Sequence, residues 1–200
     1  MSSREQILAA VKINKPTEEP TPPVMQLHTD SAIQYDNVVE QFTTVAQSIG
    51  ATVHAVESMA AVKLQLETAL QEGKQVVNTV ADIGTITSNI DIHTPAHKLE
   101  AVDIAYINGT VGVAENAAIW VSEQHMVNRA LPFICKQLVL IIKQKNLVSN
   151  MHQAYSRLNV SADGFGAFIA GPSKTADIEQ SLVIGAHGPL GLTIYIVINP

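Results

Sequence analysis

Two glycine–proline pairs near the C-terminus bracket a dense run of polar chemistry: GPSKTADIEQSLVIGAHGPLGLTIYIV, residues 171–197. Gly171 and Pro172 end an apolar run, and Ser173, Lys174, Thr175 and Asp177 follow. Read by spacing, Ser173 caps a helix that starts near Lys174 and carries Ile178, Leu182 and Val183. The free N–H groups and dipole of such a helix start, with the Lys174 ammonium, suit a carboxylate or phosphate. The same residues fit a plain cap equally well, because Asp177 and Glu179 are stabilising near a helix start without any ligand. The spacing is not that of a P-loop. In the second half His187 stands between Gly185 and Gly188, which let the backbone turn tightly and let a ligand approach. Its ordinary pKa suits acid–base work, and a hydrogen bond within the turn is the plain alternative.

Upstream, NGTVGVAEN (108–116) joins two apolar strand candidates. Asn108, Gly109 and Asn116 suit turns, and Glu115 is a carboxylate at a strand end, where ligands gather in parallel α/β sheets. His93 and His97 are four apart, but Pro95 between them argues for a loop, and a metal would need further ligands. Trp120 reads as core. Ser122–Arg129 is polar enough for a loop whose His125 and Arg129 are available to a pocket. No GxGxxG fingerprint for a nicotinamide or flavin occurs.

The elements that must position these groups alternate. Ser3–Ile13 reads as a short helix with Ile7, Leu8 and Val11 on one face. NKPTEEPTPP then makes an extended linker, so residues 1–23 form an appendage and 24–200 the main domain. A helix over Asp36–Ile49 ends at Gly50. A strand over Ala51–Val56, a Ser58-capped helix stopped at Gly73 and a strand over Gln75–Val80 follow. Strands are expected at Ala101–Ile107, Ala118–Val121, Gln137–Ile142, Phe165–Ala170 and Leu192–Ile198, with a Ser149-capped helix over Met151–Leu158. This rhythm predicts an α/β fold: a mainly parallel sheet between helical layers.

Composition agrees. The 200 residues are 46% apolar, 15% charged and only 4% aromatic, so the core is aliphatic, as a covered parallel sheet requires. A net charge of −6 without any Lys/Arg cluster excludes nucleic acid and anionic membrane as expected partners. The single cysteine, Cys135, cannot form an internal disulfide or hold a zinc or iron–sulfur centre alone. It reads as a partly buried structural residue. The polar start MSSREQILAAVKI is not a signal peptide, and the apolar runs are too short to span a membrane, so a cytoplasmic location is expected.

Taken as one pattern, GPSKTADIE and GAHGP resemble the lactate utilisation (LUD) domain family of the protein C type. That family carries GPS-[RK]-TADIE, a short spacer, G-x-HGP and a last strand. AVDIAYINGTVGVAENAAIW (101–120) is similar to the family's AVD and GIAETGT, and Leu131-Pro132 before an apolar strand also fits. The chain departs where the family has Glu-Thr-Gly-Thr and this sequence has Glu115-Asn116-Ala117-Ala118. The resemblance implies a three-layer α/β fold similar to the NagB/RpiA/CoA-transferase group. It also implies a component of bacterial L-lactate oxidation that works with two partner proteins, at least one of which carries iron–sulfur clusters; with one cysteine the chain is expected to hold no cofactor of its own, and metal use is left open.

Together these readings place a small anionic ligand, lactate or a related acid, between the 108–116 loop and the 171–175 turn. Asn108, Gly109, Gly171, Ser173, Lys174, Thr175 and Asp177 are the ligand-binding candidates. Glu115 and His187 are the candidate acid–base pair, with Glu115 and Lys174 as the rival pairing. A non-catalytic subunit or regulator of an iron–sulfur complex, and an independent enzyme of the CoA-transferase or sugar-phosphate isomerase kind, are the alternatives. A homo-oligomer is left open.

Overall fold

A computed structural model describes residues 2–15, 32–87, 89–175 and 183–199 of the chain. Helix α1 (Ser3–Ile13) starts with a reciprocal capping box between Ser2 and Glu5, and none of its residues is buried. Most of the Pro-rich linker lies outside the described residues. Asn37 caps α2 (Val38–Ser48), and Gly50, at φ +95°, leads out of it. Strand β1 (Thr52–Val56), Ser58-capped α3 (Met59–Gln71) and β2 (Val76–Asn78) follow. This half follows the expected order of elements, with α2 starting at Val38 rather than Asp36 and β2 limited to Val76–Asn78 of the expected Gln75–Val80.

Next come α4 (Ala96–Leu99), β3 (Ile104–Asn108), β4 (Val111–Val113), β5 (Ile119–Ser122), α5 (Glu123–Met126), α6 (Leu131–Ile134) and β6 (Gln137–Lys143). The chain continues through β7 (Leu147–Val148), α7 (Met151–Arg157), α8 (Val160–Asp163), β8 (Gly166–Ile169), β9 (Lys174–Thr175), β10 (Val183–Ile184) and β11 (Gly191–Val197).

Five strands form a wholly parallel sheet in the order β1-β11-β6-β3-β2. Period-two alternation divides its side chains. Leu138, Leu140 and Ile142 of β6 join Leu192, Ile194 and Ile196 of β11 and Ala105 and Ile107 of β3 in one cluster. Val139, Ile141, Tyr195, Val197 and Tyr106 point the other way, onto Val62 and Leu66 of α3. The first face is covered by Phe42 and Ala46 of α2, by the short helices, and by a second sheet ordered β7-β4-β5-β8. The α/β fold with a mainly parallel central sheet and flanking helices is therefore as the sequence implies.

The second sheet is where sequence reading falls short. NGTVGVAEN is not simply a loop: Val111–Val113 forms β4, antiparallel to β5 and parallel to β7. Ser122–Arg129 is likewise no plain loop, since Ser122 accepts from Gln124 N and opens α5. Asn150, not Ser149, caps α7, because the Asn150 side chain accepts from Gln153 N while Ser149 Oγ accepts from Tyr35 N. The expected helix from Lys174 does not begin there. Lys174 and Thr175 pair antiparallel with Ile184 and Val183, while Ile178 and Leu182 lie outside the described residues. Backbone pairing across the segment wins over the local cap signal.

Ile119 and Val121 of β5 face the main core, and Trp120 faces out onto Phe168 while its indole donates to Asp163 at 3.0 Å. Trp120 is core, as its strand context implies, though in a third cluster with Val111, Val113, Val148 and Ala154. Cys135 is wholly buried, and burial pushes its thiol up to about 12. No helix among the described residues is long and apolar enough to cross a membrane.

The two sheets meet closely at Gly112. A Cβ there would lie 2.6 Å from Leu147 Cδ2 and 2.9 Å from Ile142 Cδ1. Gly112→Ala is expected to cost about 1–3 kcal/mol through overpacking, read from urea unfolding.

At the amino end of the parallel sheet Lys136 Nζ donates to Asp103 Oδ1 at 2.7 Å and Gln75 N donates to Oδ2 at 2.9 Å. The Lys136 bond first, then the Gln75 amide, hold the carboxyl below its ordinary 3.8. A depressed folded value stabilises the fold above the ordinary value and loses that stabilisation as the pH falls through the folded one. Asp103→Asn should therefore lower the melting temperature at neutral pH, with wild type and variant converging as the pH drops below 3.8.

Candidate functional site

The segments that carry the two glycine–proline motifs meet ahead of the first residue of β11. Ser173 N donates to Pro189 O at 3.0 Å, Gly185 N donates to Ser173 O at 2.9 Å, and Leu190 N donates to Lys136 O at 2.8 Å. The last bond ties the turn to the start of β6. Gly185, at φ +79°, takes the left-handed conformation that glycine favours, just past β10. Gly188 is needed for space: a Cβ on it would sit 2.9 Å from Ser173 Cβ, 3.1 Å from Ser173 Oγ and 3.4 Å from Phe133 O. GPS and HGP are thus one packed unit, although thirteen residues separate Ser173 from His187 in the chain.

A cleft of about 240 Å³ opens at this unit. Its walls combine the apolar side chains of Phe133, Leu138, Phe168, Ile169 and Leu192 with polar surface, and its polar side chains are Ser173 and His187. The backbone amides of Ala186, His187 and Gly188 donate to no protein group among the described residues. Adjacent amides of this kind form an anion-binding concavity when they converge. His187 is exposed, Pro172 is buried and Ser173 is half-buried. Lys174 is exposed on β9, with no ion pair to a described residue.

Glu115 sits elsewhere. It lies in the β4–β5 turn, where Val113 N donates to Ala118 O and Asn116 Oδ1 accepts from Ala118 N. Its carboxylate Oε1 accepts from Met151 N at 2.8 Å, in the first turn of α7, and its own N–H donates to Ser149 O at 3.1 Å. Ala117 adopts φ +56° in this turn, at the position where the family pattern carries glycine. Left-handed backbone costs an alanine about 1–2 kcal/mol, offset here by complete burial of its methyl.

The sequence-predicted residues therefore separate into two groups. Gly171, Ser173, Lys174, Thr175 and His187 lie at the amino ends of β6 and β11. Asn108 closes β3 at its carboxyl end, level with Ile141, and Gly109 N donates to Ile141 O. Ile104, Gln137 and Gly191 share one row of the sheet, so Asn108 lies four residues, roughly 13 Å, further along the strands. Glu115 is tied to Ser149, beyond the carboxyl end of β6. Asn108 is thus set apart from the start of β11, and Glu115, its Oε1 taken by Met151 N, makes no hydrogen bond or ion pair with His187 or Lys174 among the described residues. The physical reason is direction: a loop that feeds a parallel strand must lie at its amino end, and a loop that leaves one must lie at its carboxyl end. Asp177 is outside the described residues.

Phe133, Phe168 and Leu192 are lining residues that the sequence did not single out. Their only signal was Leu131-Pro132 ahead of an apolar strand, and nothing local says that β6 and β11 are neighbours. Among the other candidates, His97 is exposed on α4 after Pro95, and His93 N donates to Asp91 Oδ1 in a turn. Arg129 is paired with Glu123 at 2.6 Å and lies over the Phe165 ring, while burial lowers the pKa of the half-buried His125. No group of three or more His, Cys, Asp or Glu among the described residues is arranged to hold a metal.

Comparison with known proteins gives a consistent family. The LUD domain model matches residues 94–197. A lactate utilization protein C from Bacillus pumilus is 38% identical over 93 residues, covering 44% of this chain and 38% of that protein. One from Shouchella clausii is 30% identical over 121 residues, covering 58% and 52%. The matches thus span about half the length of these relatives or less. The crystal structure of a DUF162 family protein from Deinococcus radiodurans superposes with a TM-score of 0.57 at 17% identity, covering 80% of this chain and 96% of that one. At that identity the likeness is one of fold.

The Glu115 carboxylate has a structural task that can be measured. Glu115→Ala is expected to cost about 1 kcal/mol by removing the acceptor for the Met151 N–H. Glu115→Gln keeps an oxygen acceptor and should lose less than half of that, with urea unfolding as the measurement.

Proposed function

Because the chain belongs to the LUD domain family, we propose that it is a component of an organic-acid utilisation system, of the lactate kind its relatives are named for. Its contribution is to bind a small carboxylate in the cleft formed by the 171–173 and 186–189 segments. The observation that carries this reading is the meeting of Ser173 and His187 at one cleft, beside a turn whose 186–188 amides donate to no group among the described residues. Amides take the carboxylate. Ser173 and His187 are then the groups in reach of a substituent on the neighbouring carbon. His187 supplies the one imidazole of the cleft and is the candidate acid–base group. Lys174 adds long-range attraction for an anion from the adjoining strand. With one cysteine in the chain, iron–sulfur centres that accept electrons in such a system belong to partner proteins.

A second reading, a non-catalytic subunit that uses α1 as a hook for a partner, is favoured by one observation. Ile7, Leu8 and Val11 form an apolar stripe on α1 and are 62%, 53% and 63% exposed.

The readings separate in a thermal-shift experiment with lactate and pyruvate. A binding site predicts stabilisation of about 2.7 kcal/mol at a hundredfold excess over Kd. Ser173→Ala and His187→Ala should each reduce the shift, and Gly188→Ala, which drives a methyl into Ser173, should abolish it. Absence of a shift with either acid, together with capture of a cluster-bearing partner that is lost on deleting residues 2–13, favours the subunit reading.

A further inference from the structure

The cleft beside Ser173 does not end at His187. Phe133, His187 and Gly188 also wall a second groove of about 540 Å³, completed by Ala130, Ile134, Ala186 and Leu190. The shared residues make the two spaces adjoining chambers on either side of one polar turn. Phe133 and Leu190 are 42% and 54% exposed, large apolar surfaces left open to solvent at this boundary. The charged side chain on the groove, Lys136, is engaged with Asp103 at 2.7 Å. Polar groups able to hold an acid head are therefore concentrated at the turn, and apolar surface extends away from it on both sides.

A three-carbon acid presents a single methyl to that surface. From the match between one polar turn and two apolar chambers, we propose that the site is built for 2-hydroxy or 2-oxo acids with a longer apolar arm, of roughly four to six carbons in all. The carboxylate lies on the 186–188 amides, and the arm runs past Phe133 into the groove under Leu190. This rests on the reading of the 186–188 turn as a carboxylate site and adds the class of acid to it. The driving force is removal of arm methylenes from water against Phe133, Ile134 and Leu190.

The test is calorimetric titration of the full chain with (S)-lactate, (S)-2-hydroxybutanoate and (S)-2-hydroxyhexanoate, with 1-hexanol as an arm without an acid head. Burial of each added methylene predicts about a fourfold gain in affinity, or about sixtyfold from the three-carbon to the six-carbon acid. Leu190→Ser, at an exposed position, should shrink that gap several-fold. Equal or falling affinity along the series overturns the inference while leaving the carboxylate site standing. A gap that is unchanged in Leu190→Ser, or reproduced by hexanol, also overturns it, because the arm then lies elsewhere or the gain is general adsorption. Binding of none of the acids overturns the carboxylate site itself.

Discussion

Strand β6 is the element on which the rest of this structure is hung. Leu138–Ile142 is buried on both faces, and β11 and β3 pair with it in parallel on either side. A strand in that position has every backbone group committed and every side chain in a core, so its register is strongly specified. The ladder reaches past its first residue, where Lys136 O accepts from Leu190 N. That bond fixes where the Gly185–Leu190 turn enters β11, and the turn in turn holds Ser173 through Pro189. The polar cleft is a consequence of the central pairing, several residues removed from any functional side chain.

The second sheet serves the same end by thickening one face. It brings Phe168 and Ile169 of β8 under the cleft and supplies the apolar floor. Close contact between the layers requires glycine at Gly112 and at Gly109, where any Cβ would meet Ile119. Glu115 belongs to this architecture rather than to the cleft. Its carboxylate satisfies an orphan N–H of α7, and its backbone joins the β4 hairpin to the segment after β7. The family resemblance at 101–120 thus describes a packing junction, and the change from glycine to Ala117 is accommodated where a buried methyl offsets backbone strain.

The distribution of charge fits a binding role with little electrostatic cost. The described ion pairs are exposed or half-exposed and contribute little to stability. An anion bound in the cleft as proposed would meet the Ser173 hydroxyl and the His187 imidazole, with no permanent charge placed in the core.

The sequence by itself determined the order of elements in the first half, the aliphatic parallel sheet and the family pattern carried by GPS and HGP. The Ser58 cap and the unbroken apolar run Leu138–Ile142 act within a few residues, and local physics is legible locally. Segments whose pairing is distant were not legible in this way. Val111–Val113 is too short to announce a strand, and Lys174–Thr175 carries a helix-cap signal that pairing with Val183–Ile184 overrides. Only the tertiary structure decided which candidate residues share a site. It joined Ser173 to His187 and set Asn108 at the far end of the parallel sheet, because strand direction and order, set by burial across the whole sheet, determine at which end each loop must lie.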